Sequence, residues 1–306
     1  MEQIQRITSF PFRGWLESLR LRTLPLAFAS ILTGSALAWW QGEFSLTVAL
    51  LCFLTSGLLQ VLSNLANDYG DALKGSDGSA RLGPLRGIQK GTITRLQLRA
   101  GIIATAGLAL LCGGILIRYA CHTPGDVVSF LLLGALAIVA AIAYTVGKKP
   151  YGYLGLGDLS VLIFFGWLGV SGSFYLQSHS VQPLVLLPAT ACGLLAAAVL
   201  NINNLRDIDT DRQCGKMTLA VRLGATHARR YHLLLLGGAL LCFAAFAWFG
   251  QHGWGRWLFL LAAPLFWRQG RYILQQESPV AMRPMLEKTV KAALLANVLF
   301  SLGVLL

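Results

Sequence analysis

The sequence predicts an all-α integral membrane bundle of nine transmembrane helices, and three observations carry that prediction. Of 306 residues, 55% are hydrophobic and only 12% are charged, with a mean hydropathy of +0.62; so little ionic surface does not suit a water-soluble domain. Nine apolar runs follow one another, at about 23–41, 45–66, 100–119, 126–146, 157–176, 183–203, 231–250, 254–269 and 289–306, and a spanning helix needs roughly 20 such residues. With the N-terminus placed in the cytoplasm and the C-terminus in the periplasm, every one of the 25 Lys and Arg residues except Arg118 and Arg256 falls in an inside segment. Cytoplasmic loops are enriched in these residues. A helix miscounted in the middle would move every later loop to the other side, so the odd number and the orientation support each other.

The elements follow in chain order. Residues 1–22 have no apolar stretch ahead of their basic residues and are not a cleavable signal. They read as a cytoplasmic, partly amphipathic lead-in with Trp15 at the interface. The eighth run is the shortest and carries Pro264, which membrane helices tolerate when neighbours satisfy the freed carbonyl. Two inside loops are long, about 67–99 after the second run and about 204–230 after the sixth. Both open on Asn residues followed by spaced aspartates, NLANDYGDALKGSD and NINNLRDIDTD. The shared pattern suggests a single domain, 1–306, of two related four-helix halves with a ninth helix added. The net charge of +12 forms no continuous basic stripe with interleaved aromatics, so nucleic acid is not an expected partner. The lipid bilayer is. The six cysteines form no C-x-x-C pair and read as packing residues.

If the second helix continues through its end, Asn64, Asp68 and Asp71 share one face, being four and then three residues apart. Asn203, Asp207 and Asp211, spaced by four, share another. Six of the 13 acidic residues lie in these two segments: Asp68, Asp71, Asp77, Asp207, Asp209 and Asp211. Crowded carboxylates near a membrane surface repel one another unless cations sit among them. Hard oxygen ligands suit Mg²⁺, which is characteristically held by one or two carboxylates together with phosphate oxygens. No histidine or thiolate ligand set competes. Two facing clusters can thus hold Mg²⁺ on a diphosphate, with Arg86, Lys90, Lys149, Arg206 and Arg212 against the remaining phosphate oxygens. For these cations, positive-inside placement on solvated loops is the competing reading. For the aspartates it is helix-end capping, which explains one polar residue per helix end but not two matched series. Tyr144 is a further candidate beside an interfacial role. Asp158, an acid just inside the fifth run, is a functional suspect of open role.

NLANDYGD with NNLRDIDTD resembles the two acidic motifs of the UbiA-type superfamily of intramembrane aromatic prenyltransferases. The stretches WLESLRLRTLPLAFASILTGSALAWW, LSNLANDYGDALKGSD, GPLRGIQKG, YTVGKKPYGYLGLGD and VLNINNLRDIDTDRQCGKMTLAVRLG extend the likeness over nearly the whole chain. They are similar to its bacterial branch acting on 1,4-dihydroxy-2-naphthoate in menaquinone biosynthesis. The resemblance implies a bacterial inner-membrane bundle with a cytoplasmic active site, a lateral opening to lipid, Mg²⁺, and a polyprenyl diphosphate, octaprenyl being the expected tail. It places Asn64, Asn67, Asp68 and Asp71 in the first motif and Asn204, Asp207 and Asp211 in the second. Where the superfamily often has a third acid, four residues after Asp71, this chain has Gly75; either Asp77 substitutes or fewer acids suffice. Phe164, Phe165, Trp167 and Tyr175 are candidates to flank an allylic cation through their π-faces. Another acceptor, such as 4-hydroxybenzoate or a haem vinyl group, and a secondary transporter are the alternatives.

Overall fold

A computed structural model describes residues 12–75, 83, 85–250 and 253–306, and among them every regular element is helical. A short helix α1 (Phe12–Leu19) leads into α2 (Leu24–Trp40), α3 (Leu46–Lys74), α4 (Arg95–Ala120) and α5 (Pro124–Ala143). After a loop come α6 (Gly157–Ser178), α7 (Leu186–Arg206), the short α8 (Ile208–Gln213), α9 (Leu219–Gly250), α10 (Ala263–Gln275) and α11 (Arg283–Leu305). Eight helices among the described residues are long and apolar enough to cross a membrane.

The run expected at 254–269 takes a different form from the others. It winds as a 3₁₀-helix over Gly255–Ala262 and continues as α10. It carries Arg256, Arg268 and Arg271, and its α-helical part is only 13 residues long. Its inner face is nonetheless fully buried at Phe259 and Ala262, and Phe259 joins Phe243, Phe246 and Phe300 in a cluster of rings.

The bundle closes on itself through α2, which packs on α3 and α6 and also receives α11. Helix α7 is buried on most sides between α6, α9 and α11, whereas α4 and α5 are largely exposed. Leu108, Leu110, Leu111, Leu131, Leu132 and Val139 all point outward, the apolar exterior that lipid covers and water does not tolerate. Helices α5 and α6 are tied at both ends by tyrosines. Tyr151 donates to the Ala140 carbonyl at 2.8 Å and lies 3.0 Å from Ser160 Oγ; at the other end Tyr175 donates to Asp126 at 2.6 Å.

Trp15 is not a free interfacial anchor. It lies against the Leu65, Ile93 and Leu98 core, and its ring would meet any Cβ placed at Gly101. This pins α1 across the end of α3 where the first acidic motif lies.

Candidate active site

Helix α3 carries the first motif as the spacing predicts. It runs unbroken to Lys74, and Asn64, Asp68 and Asp71 are all buried. It stops where Gly75 adopts a left-handed backbone, φ 68°, a conformation that glycine takes without a Cβ penalty. The position of the superfamily's third acid is therefore a helix cap here, and Asp77 lies outside the described residues. The second motif departs from its expected single face. Helix α7 ends at Arg206, and Asp207, with φ −99° and ψ 12°, forms a corner before α8. Asp207 and Asp211 are both buried even so.

The acids are met by cations. Arg86 pairs with Asp68 and approaches Asp71 at 3.8 Å. Arg20 pairs with the same Asp68 oxygen, Oδ1, held there by a left-handed backbone, φ 48°, that costs a non-glycine residue about 1–2 kcal/mol. Arg206 forks onto Asp207, with Nε donating to Oδ1 at 2.8 Å and Nη2 to Oδ2, and also donates to Asn203 at 2.9 Å. Lys216 stands 3.7 Å from Asp71 and 3.9 Å from Asp211. Tyr153 donates its hydroxyl to Asp71 at 3.0 Å. Burial first, and then the Arg20 charge, push the Arg86 guanidinium down to about 10, so it remains cationic at neutral pH.

A cavity of about 380 Å³ leads from this polar cluster. It follows α3 from Cys52 to Asp71, about 28 Å at 1.5 Å per residue. Its mouth is lined by Arg20, Asn64, Asn67, Asp71, Arg86 and Lys216, and its body by apolar side chains including Leu116, Leu133 and Leu168. Phe164 and Phe165 face it from the stretch Leu162–Gly172, which winds as a π-helix; such wide turns recur at functional sites. Trp167 and Tyr175 do not face it: Trp167 donates to Thr190 and is exposed, and Tyr175 is tied to Asp126.

Of the other expected residues, Asn67, Asn203, Asn204 and Tyr144 line the cavity. Asn64 also ties the α1–α2 corner, donating to the Leu19 carbonyl at 2.9 Å. Burial raises the Tyr144 hydroxyl, with Asp158 adding to the effect, so it stays a neutral donor. Three other expected phosphate contacts lie apart from the cavity: Lys90 is bound to Glu17 at 2.7 Å, and Lys149 and Arg212 are exposed; none lines it. Asp209 is also exposed. Asp158 is buried and hydrogen-bonded by Tyr231, behind the cavity wall. Sequence reasoning missed Arg20, Lys216 and Tyr153 as site residues.

The residues fit a hard divalent cation in their chemistry. Among the described residues no three His, Cys, Asp or Glu side chains are already gathered as a ligand set. Yet Asn67 Oδ1 and Asp68 Oδ2 are buried without a hydrogen-bond donor, and uncompensated buried oxygens of this kind are what Mg²⁺ takes.

The close approach of α3 to the 144–146 turn is a testable part of this geometry. A Cβ at Gly70 would lie 2.7 Å from the Thr145 backbone, and Thr145 donates to the Ala66 carbonyl at 3.0 Å. Gly70→Val should push the turn off the helix between Asp68 and Asp71. A loss of about 1–3 kcal/mol is expected from such overpacking, with a lowered thermal unfolding temperature in detergent as its measure. An unchanged unfolding temperature would contradict the packing described.

An all-helical membrane bundle with a polar, cation-rich mouth on a long apolar cavity defines a class: enzymes that take an amphiphile by an anionic head and bury its tail. The sequence profile of the UbiA prenyltransferase family matches residues 27–298, and the chain belongs to that family. It is 63% identical over 294 residues to the 1,4-dihydroxy-2-naphthoate octaprenyltransferase of Escherichia coli K12, covering 96% of each chain. Identity to the enzyme of the same name from Haemophilus influenzae is 54%, over 95% of this chain and 96% of that one. A solved UbiA homolog from Archaeoglobus fulgidus, bound to DMAPP and Mg²⁺, shares the fold with a TM-score of 0.63 at 16% identity, covering 95% of this chain and 99% of its own.

Proposed function

We propose that this enzyme transfers a polyprenyl group, octaprenyl in the first instance, from its diphosphate to 1,4-dihydroxy-2-naphthoate. Carbon dioxide is lost and demethylmenaquinol forms, which oxidises to demethylmenaquinone. The observation that carries this reading is the junction of buried carboxylates and arginines with an apolar cavity at the mouth formed by Arg20, Asn67, Asp71 and Arg86. The 63% identity to a naphthoate octaprenyltransferase chooses the acceptor over 4-hydroxybenzoate or haem.

In this reading Asp68, Asp71, Asp207 and Asp211, with Asn67, hold Mg²⁺, which when bound supplies positive charge against the diphosphate oxygens. Asp77 is a further ligand candidate. Arg20, Arg86 and Lys216 take the oxygens left over. They sit where negative charge grows as the carbon–oxygen bond breaks, which is electrostatic stabilisation of the transition state. The apolar cavity keeps water from an allylic cation, and Phe164 and Phe165 offer it their π-faces. The naphthoate ring attacks the allylic carbon, and Tyr144, a neutral phenol, is placed to donate a hydrogen bond to a substrate oxygen.

In the same reading the enzyme lies in the bacterial inner membrane with its active site and N-terminus on the cytoplasmic side, as the distribution of Lys and Arg suggests. The helical segment 255–275 serves as the ninth crossing: eight residues at the 3₁₀ rise and 13 at the α rise give about 35 Å, enough for a hydrocarbon core of about 30 Å. The whole chain acts as one domain, two four-helix halves with α11 added.

The direct test incubates membranes holding the enzyme with the naphthoate, octaprenyl diphosphate and Mg²⁺. A prenylated naphthoquinone, identified by mass spectrometry, is the expected product. Its absence from membranes containing folded enzyme would overturn the reading, and preferential prenylation of 4-hydroxybenzoate in competition would move it to another acceptor.

A further inference from the structure

Among the described residues, the buried carboxylates Asp68, Asp71, Asp207 and Asp211 are faced by the cations Arg20, Arg86, Arg206 and Lys216. Arg20 and Arg86 pair with acids of the first motif and Arg206 with an acid of the second. Lys216 reaches both. Its ammonium lies 3.7 Å from Asp71 Oδ1 on α3 and 3.9 Å from Asp211 Oδ1 on α8, and it lines the cavity mouth.

The lysine's surroundings are built. Its own N–H donates to the Asp211 carbonyl at 2.8 Å, and the N–H of Met217 donates to the Tyr153 carbonyl at 3.1 Å. The ammonium also sits 5.3 Å above the Tyr153 ring, the same ring whose hydroxyl donates to Asp71. Backbone contacts thus fix the base of the side chain, while its tip is held by charge alone. Distances of 3.7 and 3.9 Å are within ion-pair range and beyond hydrogen-bond length, so the tip is free to leave on its flexible four-carbon stem.

We propose that Lys216 is an internal counter-cation that bridges the two acidic motifs in the substrate-free enzyme and makes metal binding conditional on the diphosphate. This rests on the metal–diphosphate reading of the site. A divalent ion arriving alone meets carboxylates whose charge is already matched and an ammonium at the oxygens it needs. A diphosphate brings several negative charges, gives the ammonium oxygens to turn toward, and frees Asp71 and Asp211 for metal. Donor and metal therefore enter together.

The test uses the full-length enzyme in detergent, with Mn²⁺ as the probe metal and inorganic pyrophosphate as the probe diphosphate, the Mn²⁺ retained by the protein being measured after equilibrium dialysis against the same Mn²⁺–pyrophosphate solution. Wild type should bind Mn²⁺ weakly alone and at least about tenfold more tightly with pyrophosphate. In Lys216→Met, a unit charge within 4 Å of the ligand oxygens is gone, and Mn²⁺ alone should bind about tenfold or more tighter than in wild type. Lys216→Arg keeps the charge and should keep the conditional binding, which separates lost charge from lost packing. If Lys216→Met binds Mn²⁺ alone no better than wild type while wild type still responds to pyrophosphate, the role of Lys216 is refuted and the site reading survives. If wild type binds no Mn²⁺ even with pyrophosphate, the site reading itself fails.

Discussion

Asp71→Asn should reduce turnover by roughly 10³-fold or more with little change in fold. The amide keeps the size of the side chain and can still accept from Tyr153, whose hydroxyl lies 3.0 Å away, but it removes the charge that a divalent cation requires. Losing a single preorganised electrostatic partner at a charge-developing centre costs about 10²–10³, and loss of a metal ligand costs at least that. Asp68→Ala is expected to be worse in a different way. It leaves the buried Arg86 and the partly exposed Arg20 without their shared carboxylate, and breaking a buried ion pair by removing one partner costs about 3–5 kcal/mol. Asp68→Ala should therefore lower the unfolding temperature as well as the rate. Initial rates with thermal unfolding on the same preparations separate the two. Asp71→Asn activity within a few-fold of wild type would remove the first motif from the chemistry.

Chelation is the second large effect. EDTA should bring the rate to background, and excess Mg²⁺ should restore it fully, because the site's own cations reach only part of the diphosphate. Arg20, Arg86 and Lys216 line the mouth, but each is already engaged with a carboxylate. The restored rate should rise with Mg²⁺ only while diphosphate is present. Full activity in chelator without added metal would show that arginine and lysine suffice, and the carboxylates would then need another explanation.

The first motif was legible in the sequence because a single helix carries it. Once α3 is read as continuing past its apolar run, the spacing of Asn64, Asp68 and Asp71 fixes their common face, and the structure keeps all three buried. The second was legible in content but not in shape, since the corner at Asp207 follows from tertiary packing that periodicity does not register. Arg20 and Lys216 were hidden for a related reason. Each looks like one more positive-inside residue, and only the left-handed turn at Arg20 and the hydrogen-bonded turn around Lys216 aim them at acids far away in sequence. Lys90, Lys149 and Arg212 show the converse, because proximity in sequence to an acidic motif does not decide where a long flexible side chain points. Charge counting located the face of the membrane on which the site is expected and could not rank the cations on it. The segment 255–275 escaped a clean reading because its 3₁₀ turns and short α-helix depart from the pattern of an ordinary spanning helix.

The most direct measurement is a structure of the enzyme with Mn²⁺ and an unreactive polyprenyl thiodiphosphate, with the metal located by anomalous scattering. The account predicts metal at the cavity mouth within coordination distance of carboxylate oxygens from both α3 and the α7–α8 corner, bridged by the diphosphate, with the tail running along α3 toward Cys52. Metal bound by one motif alone, or a diphosphate docked away from Asp71 and Asp211, would contradict it.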